Sequence, residues 1–177
     1  MTIFPATVLA KAAATRLLIL DVDGVLTDGR IYYLSGGGEA KAFNTQDGAA
    51  LKMLMGTGVA TAIITGRRSD IVERRARELG ITHVHQGVEH KATALTSLCE
   101  ASGVATSVMA HVGDDVPDLE LFNRVALRLT VPSAHPEVIT RADYVTHAAA
   151  GMGAVAEVCR LVMTAQNTWQ DALARFT

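Results

Sequence analysis

Apolar positions along the chain fall into short unbroken runs that alternate with segments of helical spacing. The run RLLILD, residues 16–21, shows no polar alternation, as expected of a central parallel strand buried on both faces. Similar short runs at residues 59–64, 82–85, 107–112 and 125–129, with a last one at Tyr144 and Val145, predict further strands. Between them, apolar residues recur every three or four positions over residues 47–55, 69–79, 89–102, 117–123 and 154–165, which predicts helices. Gly56, Gly58 and Gly80 stand where the first two of these should stop. Strands alternating with helices require right-handed crossovers. The predicted fold is therefore α/β, a doubly wound, mostly parallel sheet covered on both sides, with ligands at the carboxyl ends of the strands.

One stretch breaks this rhythm. RIYYLSGGGEAKAF places two β-rich pieces around Gly36, Gly37 and Gly38 and predicts a projecting β-hairpin after the first strand. No helix follows the three glycines directly, so a turn explains them better than a phosphate cradle does. No segment between elements is long enough for a second folded unit, so a single capless domain over residues 1–177 is expected. A capless site is open to water, and packing against neighbouring copies, with the hairpin as an edge, is a way to close it.

Composition narrows the class. The chain is 49% hydrophobic with a formal charge of -2 and mixed signs, which gives no broad basic face for nucleic acid. No apolar run approaches the ~20 residues of a membrane span. The opening MTIFPATVLAKAAAT lacks the basic start and cleavage site of a signal peptide. Cys99 and Cys159 lie far apart, outside any zinc or CxxC spacing, and read as buried apolar residues in a reducing, cytoplasmic protein. The partner expected is a small molecule, with no nucleic acid and no membrane.

The chemistry lies at strand ends. Asp21 and Asp23 are two apart at the end of the first strand and so point to one face, with Gly24 allowing a tight turn. Asp114 and Asp115 end another apolar strand, in VMAHVGDD, which a parallel sheet can bring beside the first. Two ionised carboxylates at ~4 Å repel by roughly 4 kcal/mol at an effective dielectric of 20, so four such acids in one crevice call for a cation. An oxygen-only site without His or Cys spacing selects Mg²⁺. Thr65 ends the strand GVATAIITGR, and Lys91 opens the helix after HQGVEH. A hydroxyl donor and an ammonium are what a transferring phosphoryl group needs. A threonine at a strand end is ordinarily a helix cap and a lysine ordinarily solvated surface; order and spacing at successive strand ends are what lend these two weight.

Those four stations, DVDGV, ITGR, Lys91 and GDDVPD, resemble the motifs of the haloacid dehalogenase superfamily. The resemblance implies a phosphatase in which Asp21 attacks phosphorus and becomes an aspartyl phosphate. It also implies that Asp23 is the acid–base residue, with Mg²⁺ held by Asp21, the backbone carbonyl of Asp23, and Asp114. Asp115 then orients Lys91 or a metal-bound water. Over residues 16–166, VDGVLTDGRIYY, the glycine hairpin, FNTQDGAALK, ITGRRSDIVERRARELGI, HQGVEHK, VGDDVPDLE and YVTHAAAGMGAVAEVC are similar to the 3-deoxy-D-manno-octulosonate 8-phosphate phosphatase family. That family implies a capless homotetramer acting on an eight-carbon sugar acid phosphate, on the route to lipopolysaccharide.

A sugar acid carries a carboxylate far from its phosphate, so positive charge is needed at both ends. Gly66 and Arg67 follow Thr65 and are candidates for binding near the phosphate. Arg74 and Arg75 lie ~11–12 Å further along the helix at 1.5 Å rise per residue, and helical geometry favours neither. The family pattern favours Arg75, serving a neighbouring subunit's site. His90, beside Lys91, is a candidate for the entrance. His83 and His85 share one strand face but have no third ligand in spacing. Ala150, Met152, Ala156 and Asn167 depart from the family pattern, which leaves the packing of the tail open. There Trp169, Leu173 and Phe176 form an amphipathic segment for a neighbour or for the chain's own domain.

Two other classes compete. A phospho-receiver domain also joins aspartates, Mg²⁺, threonine and lysine on a doubly wound sheet, but its acidic pair precedes its phosphoacceptor by two strands, whereas here DxD precedes GDD by about ninety residues. A non-catalytic oligomerisation module would have no use for intact Asp21 and Asp23. Among phosphatases, a nine-carbon sialic or deaminated sialic acid 9-phosphate is the alternative substrate.

Overall fold

A computed structural model describes residues 4–176; the first three residues of the opening apolar stretch and the last of the tail lie outside it. Six parallel strands form one sheet: β1 (Leu17–Leu20), β4 (Ala60–Thr65), β5 (His83–Gln86), β6 (Met109–Val112), β7 (Leu127–Thr130) and β8 (Tyr144–Val145). Their order is β5-β4-β1-β6-β7-β8. The remaining strands, β2 (Tyr32–Tyr33) and β3 (Glu39–Ala40), pair antiparallel with Tyr32 opposite Ala40 and form the predicted hairpin.

β1 shows why an unbroken apolar run marks a central strand. Leu18 and Leu20 face one core, where they join residues of α1 (Ala6–Ala13), α2 (Thr45–Met55), α3 (Asp70–Leu79) and α7 (Ala154–Ala165). Leu17 and Ile19 face the opposite core, against Ala94, Leu95 and Leu98 of α4 (Lys91–Ser102) and Leu121 of α5 (Leu119–Phe122). All four strand residues have no solvent exposure. Each such burial is worth about 1.5–3 kcal/mol against an exposed reference, so neither face of β1 tolerates a polar residue.

The helix ends follow the glycines. α3 starts after Ser69 and stops at left-handed Gly80, and α4 stops at left-handed Gly103. α7 begins after Gly153, which has no side chain to cap it; Asp47 of α2 supplies the missing acceptor, taking the Ala156 N–H at 2.7 Å. This buried carboxylate ties α2 to α7.

Two helices were not legible. The opening stretch forms α1, which packs Val8 and Ala12 into the larger core, and Pro136–Ile139 form a single turn, α6. The tail forms α8 (Trp169–Leu173), which folds back on its own chain: Ala172 is buried, and Trp169 packs on the core with the Arg160 guanidinium 5.7 Å from its ring centre. No helix among the described residues is long and apolar enough to cross a membrane.

The chain runs from β1 outward to β4 and β5, then returns to the other side of β1 for β6, β7 and β8. The direction of winding therefore reverses between β1 and β6. Crevices at such switch points are where open α/β sheets bind ligands.

Candidate active site

Asp21 follows β1 and Asp114 follows β6, so both emerge at the switch point. Register places Leu20 beside Val112, and the Asp21 N–H donates to the Val112 carbonyl at 3.0 Å. Two glycines make the approach possible. Gly24 has φ of 87°, and a Cβ there would collide with the Asp114 carboxylate; a Cβ on Gly113 would collide with Asp118. Any other residue at Gly24 would both strain the backbone and push the two acidic loops apart.

A hollow of about 330 Å³ opens here, lined by Asp21, Asp23, Thr65, Gly66, Arg67, Lys91, Asp114, Asp115 and Asp118. That is the lower end of the range for small-molecule sites. The four predicted stations thus meet in one cavity. Arg75 is not among its lining. It lies over Phe43 at 5.8 Å, donates to the Asn44 carbonyl at 3.4 Å and borders a separate hollow with Arg74 and Glu78. The reason is its place on α3, more than a full turn beyond the residues that face the cavity. His90 also stays out, exposed beside Glu120 at 3.5 Å.

Lys91 is buried, and its ammonium bonds Asp118 Oδ1 at 2.6 Å. It also lies 3.2 Å from Asp21 Oδ1, within ion-pair distance but off the line of a hydrogen bond. Asp115, expected to orient Lys91 or a metal-bound water, does not touch Lys91. The Asp115 side chain is exposed and caps the following turn by accepting the Val116 N–H at 2.7 Å. Asp118, three residues on, turns inward because that turn is a capping box. It was visible in GDDVPD, but nothing in the spacing distinguished its direction from that of its neighbours.

Asp118 has no free lone pair. Oδ1 takes Lys91 and, at 2.9 Å, His111 Nε2; Oδ2 takes the N–H groups of Asp114 at 3.0 Å and Asp115 at 3.1 Å. Burial pushes its carboxyl up, but His111 and Lys91 more than offset this and hold it well below the ordinary carboxylate range. Lys91 is in turn held above its ordinary value: burial lowers it, and the Asp118 and Asp21 charges outweigh that.

Asp21 and Asp114 differ. Each leaves Oδ1 buried without a hydrogen-bond partner. Burial raises Asp21, with the Lys91 charge opposing. Burial, and then the charges of Asp21 and Asp118, push Asp114 up to about 8. Oxygens of Asp21, Asp114 and Asp118 lie within 4.8 Å of one another. Because Asp118 is already saturated, the two unsatisfied oxygens of Asp21 and Asp114 are the ones a cation would fit. An all-oxygen donor set of this kind suits a hard divalent ion such as Mg²⁺.

Asp23 sits at the mouth, about one-fifth exposed. Its Oδ1 pairs with Lys41 Nζ, and Arg67 Nε lies 3.5 Å from its Oδ2. Lys41 was missed. It follows β3, and its side chain is almost wholly buried, so the hairpin does more than project: it delivers an ammonium to the site. Glu39 of the same strand holds Arg67 at 3.1 Å. The polar alternation of GEAKAF is the signal that could have revealed this, since two charged residues two apart share one face of a strand.

The chain is also similar to known proteins over most of its length. Residues 81–158 match the family model for haloacid dehalogenase-like hydrolases. The chain is 48% identical over 167 residues to a 3-deoxy-D-manno-octulosonate 8-phosphate phosphatase of Escherichia coli K12, covering 94% of this chain and 89% of that protein. Its fold is similar to that of the Moraxella catarrhalis phosphatase of the same description, solved with a magnesium ion, a phosphate ion and the sugar acid. Here the TM-score is 0.95 at 42% identity, covering 98% of this chain and 100% of the other. A cobalt-bound Haemophilus influenzae relative aligns with a TM-score of 0.87 at 35% identity over 90% of this chain and 93% of its own.

Proposed function

Since the chain belongs to the haloacid dehalogenase-like hydrolases, in the family of the 3-deoxy-D-manno-octulosonate 8-phosphate phosphatases, and is a phosphatase, we propose that it hydrolyses 3-deoxy-D-manno-octulosonate 8-phosphate to the free sugar acid and phosphate. The observation that carries this reading is the pair of buried oxygens on Asp21 and Asp114 that accept no hydrogen bond, in a cavity that the donors of Thr65, Arg67 and Lys91 also line.

Asp21, Asp114 and the Asp23 backbone carbonyl would hold Mg²⁺, which would neutralise the clustered carboxylates and the charge of the phosphoryl group. An Asp21 carboxylate oxygen attacks phosphorus as the bond from phosphorus to the sugar oxygen breaks. Asp23 gives that oxygen a proton as it leaves, then takes one from the water that attacks phosphorus in the Asp21 phosphate, releasing inorganic phosphate and restoring the carboxylate. The Thr65 hydroxyl, the Gly66 backbone and the Lys91 ammonium hold the equatorial oxygens, where charge stabilisation counts most. Lys41 and Arg67 orient Asp23, and Arg67 meets the substrate near the phosphate.

The working unit of the proposal is a cytoplasmic homotetramer of single-domain chains. The exposed apolar residues Ile31, Tyr32, Tyr33 and Leu34 on and around the hairpin support such packing. Arg75, outside its own chain's cavity, then serves a neighbour's. Purified protein is expected to release phosphate from octulosonate 8-phosphate, to lose that activity on chelation and to regain it with Mg²⁺. Measuring kcat/KM for eight- and nine-carbon substrates decides the assignment; a preference for the nine-carbon sugar acid would overturn it.

A further inference from the structure

His111 has no part in the chemistry above, yet it is fully buried in the middle of the sheet. It lies on β6 two residues after Met109, on the face that otherwise packs Leu17, Ile19, Ala62 and Ile64 against α4. An apolar side chain would complete that core. An imidazole buried there costs stability unless both its nitrogens are satisfied.

Both have a polar partner. Nδ1 lies 3.2 Å from the Ile19 carbonyl and Nε2 lies 2.9 Å from Asp118 Oδ1. The Asp118 carboxylate oxygen can only accept, so the contact at Nε2 is a bond that His111 donates. The ring plane is fixed by Phe122, edge-on with centroids 5.8 Å apart. His111 therefore spans β1 and β6 and ends on the same oxygen that holds Lys91.

The two oxygens of Asp118 are anchored differently. Oδ2 is fixed by two backbone N–H groups, whereas Oδ1 is held only by Lys91 and His111. Lys91 is a flexible chain and His111 a wedged ring, so His111 is what stops Oδ1 from turning. We propose that His111 is a positioning residue for the phosphoryl-transfer step: by clamping Asp118 Oδ1 it aims the Lys91 ammonium at the Asp21 side of the cavity. The inference rests on the phosphatase reading, because the aim of Lys91 matters only if a phosphoryl group is transferred at Asp21.

The test uses the full chain with Mg²⁺ and p-nitrophenyl phosphate, which reports phosphoryl transfer whatever the natural sugar is. His111→Phe keeps the packing and removes the donor; kcat should fall about 30-fold while KM stays within about three-fold of the parent's. His111→Gln restores an N–H donor and should recover at least about five-fold of that loss. A Phe variant whose thermal midpoint drops while kcat stays within about two-fold of the parent, or a Gln variant no faster than Phe, would overturn the proposal. If the Phe variant does not fold, His111→Asn, whose amide is one methylene shorter than that of Gln, replaces it with the same expected loss and the same overturning result. A parent enzyme that turned over no phosphomonoester at all would sink the phosphatase reading instead, an outcome distinct from equal rates in parent and variant.

Discussion

Asp143 and Asp114 are carboxylates at opposite ends of the same sheet, and the chain treats them in opposite ways. Asp143 precedes β8 and accepts from the Arg128 N–H at 2.9 Å, the Arg128 guanidinium at 3.0 and 2.7 Å, and Lys11 at 2.7 Å. Burial alone would raise it, but Arg128 and Lys11 hold it down at about 2. Asp114 follows β6, is buried beside two other acids and is pushed to about 8. One acid has every lone pair answered by its own chain; the other has an oxygen that nothing among the described residues answers. The amino edge of the sheet is thus closed by internal pairing, while the carboxyl edge keeps a charge deficit that a ligand must fill.

The largest expected effect tests whether that deficit is the seat of catalysis. Asp21→Asn keeps the shape but removes the attacking carboxylate, and phosphatase turnover should fall by at least about 10⁴-fold. Activity retained within tenfold would mean that the unanswered oxygens do something other than accept a phosphoryl group.

A second effect follows from protonation. With no cation bound, Asp114 carries a proton up to about pH 8, and a divalent ion must expel it. Mg²⁺ affinity should therefore rise as pH increases from 6 to 8 and then level off, with proton release seen as buffer-dependent heat in calorimetry. Affinity flat over that interval would show Asp114 already ionised.

The smallest effect has opposite signs at the two ends. A carboxyl raised in the fold is neutral in the folded state and ionised in the unfolded state between its two pKa values, so without metal Asp114 erodes stability as pH climbs from about 4 toward 8. Asp114→Asn should stabilise the metal-free protein at pH 8 while destroying activity. Asp143, lowered in the fold, contributes stability above the ordinary carboxylate pKa that is lost as pH falls toward 2. Asp143→Asn should cost about 1 kcal/mol at neutral pH, a modest figure because its cationic partners are part-exposed, and leave kcat/KM unchanged. Urea titrations of both variants measure the pair; shifts of the same sign would erase the contrast.

Much of this was readable before any folding was considered. The strand order along the chain, the hairpin, helix α7 and the positions of Asp21, Thr65, Lys91 and Asp114 at the starts and ends of elements all follow from local periodicity and polarity, because burial on two faces demands an unbroken apolar run and a strand end is where polar side chains reach solvent.

Tertiary structure alone decided which polar groups meet. Lys91 chose Asp118 over Asp115 through a capped turn 27 residues away. Lys41 reached Asp23 from across the hairpin, and Arg75 was carried past the cavity on α3. His111 looked like one more strand residue until β1 offered it a carbonyl. Periodicity records which face a residue takes, whereas partner choice depends on how separate elements are brought to within 3 Å of each other, and no local pattern encodes that distance.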